Sequence, residues 1–202
     1  MIKIRKNLIF GNYWKLMNNR RSFIVGIKSL KLSSGEKIFL KKYKPWGVIL
    51  FSRNIRNINQ TLKLTKNIRL ILKDNKYPIL IDQEGGRVNR LKNIISFESL
   101  TSEFFGNKYL QSSIEFKSFY KLFIDKTSFL LKSMGININT MPVLDLRVKG
   151  ASNIIGDRAF SKNPKIVSKI GDICIDFFHQ NQIGTVMKHI PGHGLAKVDS
   201  HN

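Results

Sequence analysis

Short, nearly unbroken apolar runs alternate along this chain with longer stretches of helical period. Phe23–Ile27 and Trp46–Phe51 are apolar throughout, and Tyr77–Ile81 opens a third run that ends in the polar burst Asp82-Gln83-Glu84-Gly85-Gly86-Arg87. Continuous apolar runs of this length fit parallel strands covered on both faces. Between the first two runs, Ser33 stands three residues before Glu36, the arrangement of a capping box, and a helix is expected from about Glu36 to Lys42, stopped by Pro45. Asn59 is expected to cap a second helix, in which Leu62, Ile68, Leu70, Ile71 and Leu72 keep a helical period until Asn75.

A loop is expected after Arg87, then a long helix from about Ile114 to Met134, with Gly135 suited to its C-terminus. Ile136–Leu144 reads as a fourth strand, broken at Pro142 and ending in Asp145-Leu146-Arg147. Pro164–Gln180 reads as a helix with Ile166, Val167, Ile170, Ile173 and Phe177 on one face, and Gly184–Ile190 as a fifth strand. The apolar lead Ile183–Met187 reads as buried.

Strands alternating with helices imply a parallel sheet with right-handed crossovers. Polar residues gather at the carboxyl ends of the second to fifth strands, where parallel α/β folds place their sites. No Gly-x-Gly-x-x-Gly follows the first strand, which weakens a dinucleotide-binding reading. A complete (β/α)8 barrel takes about 250 residues. The expectation is therefore an α/β chain forming an incomplete (β/α)8 TIM barrel, with about five of the eight strands present.

Composition changes this picture little. A length of 202 residues, with 42% hydrophobic and 24% charged residues, suits one globular domain. The net charge of +22 is unusual and points to an anionic partner or to codon usage, since the Lys residues are spread along the chain among abundant Ile, Asn and Phe. The single cysteine, Cys174, excludes an intrachain disulfide and reads as core. Residues 1–21 read as a basic extension and 22–202 as the barrel domain. No secretory leader and no membrane span is evident, so a cytoplasmic protein is expected.

Two stretches are dense in chemistry. In Asp82–Arg90, two carboxylates at i and i+2 leave a strand on one face, two glycines permit a sharp turn, and Arg87 and Arg90 can neutralise the carboxylates or hold ligand oxygens. Such a set can grip vicinal hydroxyls of a sugar or tie a loop to the barrel. The second stretch, Lys188–Asn202, holds three of the four histidines. A metal site from His189, His193 and His201 is one reading, although Pro191-Gly192 prevents the first two from sharing a helix face. An acid/base pair of Asp199 and His201 is another. Loop histidines satisfied by backbone are the third. Ser200 lies outside any Gly-x-Ser-x-Gly elbow, which argues against a serine hydrolase.

Lys188-His-Ile-Pro-Gly-His-Gly followed by Asp199-Ser-His resembles the signature of bacterial β-N-acetylglucosaminidases of glycoside hydrolase family 3. Gly47–Asn54, Ile81–Arg90, Met141–Asp145 and Ile155–Arg158 resemble the same family in the same order, so the likeness runs from about residue 22 to 202. It implies a TIM barrel removing terminal N-acetylglucosamine from peptidoglycan fragments, with retention, in the cytoplasm. Neither a cofactor nor a metal is implied, and no specific nucleic-acid partner. By motif it implies His201 as acid/base with Asp199 as its partner, and Asp82, Arg90, Arg158, Lys188 and His189 as sugar contacts. The family nucleophile is an Asp on a later strand, and no residue of 1–202 matches it. The expected function is thus a glycosidase impaired by that loss. The alternative is a non-catalytic sugar- or nucleic-acid-binding remnant.

Overall fold

A computed structural model describes residues 20–151 and 153–197. Its strands are β1 (Arg21–Gly26), β2 (Pro45–Leu50), β3 (Ile79–Ile81), β4 (Ile138–Asn139) and β5 (Gly184–Thr185). All neighbouring pairs are parallel, and the spatial order is the chain order, β1-β2-β3-β4-β5. A doubly wound sheet reverses direction at a switch point. This one never does, which is the succession of a (β/α) barrel.

The helices are α1 (Ser34–Tyr43), α2 (Ile58–Leu72), α3 (Ser102–Gln111), α4 (Ser113–Ser133) and α5 (Pro164–Gln180). The Ser33–Glu36 capping box is present, with the Ser33 hydroxyl accepting from the Glu36 N–H and the Glu36 carboxylate accepting from the Ser33 N–H. α5 begins at Pro164 behind the Asn163 cap, and its buried stripe is Val167, Ile170, Cys174 and Phe178. Ile166, Ile173 and Phe177 are only partly buried, so the inward face is rotated slightly from the expected one. Burial pushes the Cys174 thiol up to about 12. That is the behaviour of a core residue.

Several expectations are corrected. Asn57, not Asn59, caps α2, its carboxamide accepting from the Gln60 N–H at 2.9 Å. The buried face of α2 is Thr61, Leu64, Thr65 and Ile68, while Leu70 is exposed, because the inward side tolerates threonines whose hydroxyls bond carbonyls. The stretch expected as loop contains α3, capped by Thr101 and separated from α4 by Ser112, which caps α4 in turn. β4 and β5 are much shorter than expected. Beyond them only the bridge Val143↔Lys188 continues the pairing, since Pro142 interrupts the strand. Val186 and Met187 are exposed rather than buried.

The core lies between the sheet and the helices, where Ile79, Ile81, Val48 and Leu50 share one buried cluster with Phe105, Phe116, Tyr120 and Phe123. Among the described residues β1 pairs only with β2 and β5 only with β4, and Phe23 and Ile24 on β1 are exposed. The well-buried middle of the sheet is where the polar residues emerge. No helix among the described residues is long and apolar enough to cross a membrane.

Candidate active site

The carboxyl end of β3 alternates strictly. Asp82 and Glu84 face one side and Gln83 the other, as the period of two requires. Gln83 is fully buried and acts as a peg: its side-chain oxygen accepts from the N–H groups of Arg90 and Leu91 at 2.9 and 3.2 Å. Asn139 on β4 clasps the Gln83 backbone, accepting from its N–H at 3.0 Å and donating to its carbonyl at 2.9 Å. The chain then doubles back at Gly85, whose φ of +93° and 2.3 Å gap from a Cβ position to the Leu100 carbonyl leave no room for a side chain. Thus residues 82–91 form a folded-back turn aimed by β3 and β4.

Lys188 arrives from beyond β5 and inserts between the carboxylates. Its Nζ donates to Asp82 Oδ1 at 3.0 Å and to the Thr140 hydroxyl at 3.1 Å, and pairs with Glu84 Oε1 at 2.6 Å. An ammonium has three protons, and these acceptors account for all of them. Arg158 grips Glu84 with a bidentate fork, Nε to Oε2 at 2.8 Å and a terminal nitrogen to Oε1 at 2.9 Å. Its remaining terminal nitrogen donates to the Ile154 carbonyl at 3.1 Å. The Thr140 hydroxyl also donates to Asp82.

Among the described residues this leaves Asp82 Oδ2 and Arg90 as the open groups. They stand 3.8 Å apart, and Arg90 lies over the Phe51 ring at 5.5 Å with its Nε buried and unpartnered. Arg87, expected beside the carboxylates, points elsewhere. It pairs with Asp157 at 3.0 Å and donates to the carbonyls of Asn153, Ile154 and Ile155, because the turn at Gly85-Gly86 carries it to the far side of the loop. The charge opposite Glu84 comes from Arg158 instead.

Burial works against the charged forms of Asp82 and Glu84. For Asp82, Lys188, the Thr140 hydroxyl and Arg90 outweigh that cost, and the carboxyl is held below its ordinary value. For Glu84, burial is outweighed by the Arg158 bonds and by Lys188, with the same result. The Glu84 charges raise Arg158 in turn, against its own burial.

The turn after Lys188 hangs on Asp145, at the end of the fourth expected strand. Asp145 Oδ2 accepts from His189 Nδ1 at 2.6 Å and from the His189 N–H at 3.2 Å. Oδ1 accepts from the Gly194 N–H at 3.2 Å and from the His193 N–H. The His189 and His193 rings stack with centroids 4.5 Å apart. Burial opposes the Asp145 charge, yet His189 and the His193 N–H hold the carboxyl below its usual range.

Asp82, Arg90, Arg158 and Lys188 therefore come together at one end of the sheet, and His189 follows on the adjoining turn. Asp199 and His201 lie outside the described residues. Among the described residues no group of three or more His, Cys, Asp or Glu side chains is arranged to hold a metal ion. Sequence reasoning picked out Glu84 as one of a carboxylate pair without assigning it a role, and passed over Thr140 and Asp145 as site members. The period-two spacing of Asp82 and Glu84 was the available signal for the first. Nothing local marked the other two.

Parallel strands in chain order, with a charged cluster at their carboxyl ends, are the arrangement of a (β/α)-barrel domain. Residues 21–202 match the glycosyl hydrolase family 3 N-terminal domain, and the chain belongs to that family. It is 30% identical over 179 residues to a beta-hexosaminidase of Thioalkalivibrio sulfidiphilus, covering 88% of this chain and 50% of that protein. It is 34% identical over 178 residues to a beta-hexosaminidase of Hydrogenovibrio crunogenus, covering 88% and 49%. Among solved structures, NagZ from Neisseria gonorrhoeae in complex with N-trifluoroacetyl-D-glucosamine superposes with a TM-score of 0.81 at 28% identity, covering 91% of this chain and 53% of that one. The chain spans about half the length of the curated relatives it matches.

Proposed function

We propose that this chain is a β-N-acetylhexosaminidase domain that holds the terminal non-reducing N-acetylglucosamine of a peptidoglycan fragment, in the cytoplasm. Residues 22–202 form the barrel portion in this reading, and 1–21 are an extension to it. The observation that supports it best is the strand-end cluster of Asp82, Glu84, Lys188 and Arg158 in a chain of glycosyl hydrolase family 3. The ion network leaves one carboxylate oxygen, Asp82 Oδ2, and one guanidinium, Arg90, 3.8 Å apart and both partly exposed. A sugar diol fits such a pair: one hydroxyl donates to the carboxylate and its neighbour accepts from the guanidinium.

His201 is assigned as acid/base and Asp199 as the group that orients it, by motif. Such a pair protonates the leaving oxygen and then deprotonates water, provided a carboxylate nucleophile stands on the other face of the sugar. No residue of 1–202 is assigned as that nucleophile, so turnover by these residues alone is impaired. Lys188 and His189 are assigned to the sugar as well. Because all three Lys188 protons have acceptors, its contact with a hydroxyl requires one of them to be shared.

The test separates binding from turnover. N-acetylglucosamine titrated into the labelled protein should perturb signals of residues 82–90, and Arg90→Ala should move the titration to about ten-fold or more higher sugar concentration. Hydrolysis of a chromogenic N-acetylglucosaminide should be slow and lost in His201→Ala. Absence of binding by the unaltered chain sinks the reading.

A further inference from the structure

We infer that Asp145 is a positioning residue that fixes His189 as the tautomer protonated at Nδ1, so that its Nε2 meets the ligand as a hydrogen-bond acceptor. The geometry leaves little choice. Asp145 is a carboxylate whose side chain has no solvent exposure, and it has nothing to donate when ionised. His189 Nδ1 lies 2.6 Å from Oδ2, a distance that requires a proton between them, and that proton resides on the ring. The other oxygen is taken by the backbone N–H groups of His193 and Gly194, and Oδ2 also accepts from the His189 N–H. Ring and turn are thus held by one group. The His193 ring, stacked at 4.5 Å, blocks rotation of His189 out of that plane.

The consequence is chemical. An imidazole that spends its only N–H on a carboxylate presents a lone pair at Nε2. Next to it in the chain stands Lys188, a pure donor. The two neighbours therefore offer opposite hydrogen-bonding characters, and a hydroxyl, which both donates and accepts, satisfies them where a ketone or an ether cannot. That part rests on the glycosidase reading; the tautomer does not.

A nitrogen-15 correlation spectrum of the histidine rings at pH 9, where a free imidazole is neutral, tests the tautomer directly, with His189→Gln assigning the signal. A pyrrole-like Nδ1 with a pyridine-like Nε2 supports the inference. A pyridine-like Nδ1, or a ring still protonated at both nitrogens, overturns it. Asp145→Asn sharpens the result. Its oxygen keeps two of the three backbone donors, those of His193 and Gly194, so its NH2 faces His189 Nδ1, and the ring should switch to the Nε2–H form. A folded Asp145→Asn protein with an unchanged tautomer overturns the inference; if that variant does not fold, the spectrum of the unaltered protein still decides.

With the tautomer reversed, N-acetylglucosamine should bind about ten-fold more weakly, since a hydroxyl loses its acceptor. Equal affinity of a folded, tautomer-switched Asp145→Asn overturns the proposed role of Nε2. If the unaltered protein shows the inferred tautomer but binds no sugar, the glycosidase reading fails and the positioning role stands.

Discussion

Glu84 and Asp145 are both carboxylates hidden from solvent, with side-chain exposures of 2% and 0%, and they are held by opposite means. Glu84 faces two full charges, Arg158 and Lys188. Asp145 faces backbone N–H groups and an imidazole. The first arrangement joins two strand ends and the loop that carries Arg158, and is stiff because Arg158 is forked onto Glu84 and every Lys188 proton has an acceptor. The second gathers a single turn around one anion. Removing Glu84 strands two buried or half-buried cations, whereas removing Asp145 strands dipoles that water can partly reach. The two regions should therefore differ in how much of the fold they carry.

The largest effect expected is from Glu84→Ala. Breaking a buried pair leaves its partner uncompensated, at a cost of about 3–5 kcal/mol. Urea unfolding should show that loss as a lowered midpoint with little change in slope. Asp145→Ala should cost less, about 2 kcal/mol, the scale of lost hydrogen bonds to a charged acceptor. Equal losses in the two variants would break the distinction drawn between them.

Acid acts on both regions. The folded carboxyls of Asp82, Glu84 and Asp145 are all held below their ordinary values. A group depressed in the folded state contributes stability that is present above its unfolded value, about pH 4, and is lost as pH falls through the folded one. Stability measured by thermal unfolding should be level from about pH 7 to 5 and fall progressively below about pH 4. Glu84→Gln should fall less steeply over that range, having lost one of the depressed carboxyls. A curve unchanged by Glu84→Gln would show that the network does not bind its proton as described.

The sequence pattern made the parallel α/β architecture legible because helix and strand periods are local properties. α5 was readable to its ends, since Asn163-Pro164 and Asn181 mark them chemically. α3 was not, because Phe105 packs on Tyr120 and Phe123 of α4 and Gly106 lies against a loop distant in sequence; a Cβ on Gly106 would lie 1.6 Å from the Phe160 carbonyl. Likewise, Lys188 and Asp82 could be picked out as chemistry-bearing residues. That their charges meet, and that Arg158 rather than Arg87 answers Glu84, depends on the register of β3, β4 and β5. Register is a tertiary property, set by which apolar face each strand must bury. Asp145 was read as a strand end closing a family-like block, with no partner assigned, for the same reason: its donors lie 44 to 49 residues away.

The smallest effect on stability is expected at Arg90, which belongs to neither arrangement. Its side chain is 29% exposed, Asp82 Oδ2 is 3.8 Å away, and among the described residues its buried Nε has no acceptor. Removing an unpaired donor spares a desolvation cost while forfeiting the stacking on Phe51. The two offset, so Arg90→Ala should leave stability within about 1 kcal/mol of the unaltered protein. Binding should respond in the other direction. A charged donor lost from a sugar hydroxyl corresponds to about ten-fold or more in affinity for N-acetylglucosamine. Glu84→Ala is the counterpart: it touches no sugar in this geometry and should lower affinity only through the disorder it brings to Arg158 and Lys188. A titration of both variants at a temperature where each is folded sharpens the comparison. If Arg90→Ala loses stability and keeps its affinity, then Arg90 belongs with the structural network, and the partly exposed pair of Asp82 and Arg90 is not where the ligand is held.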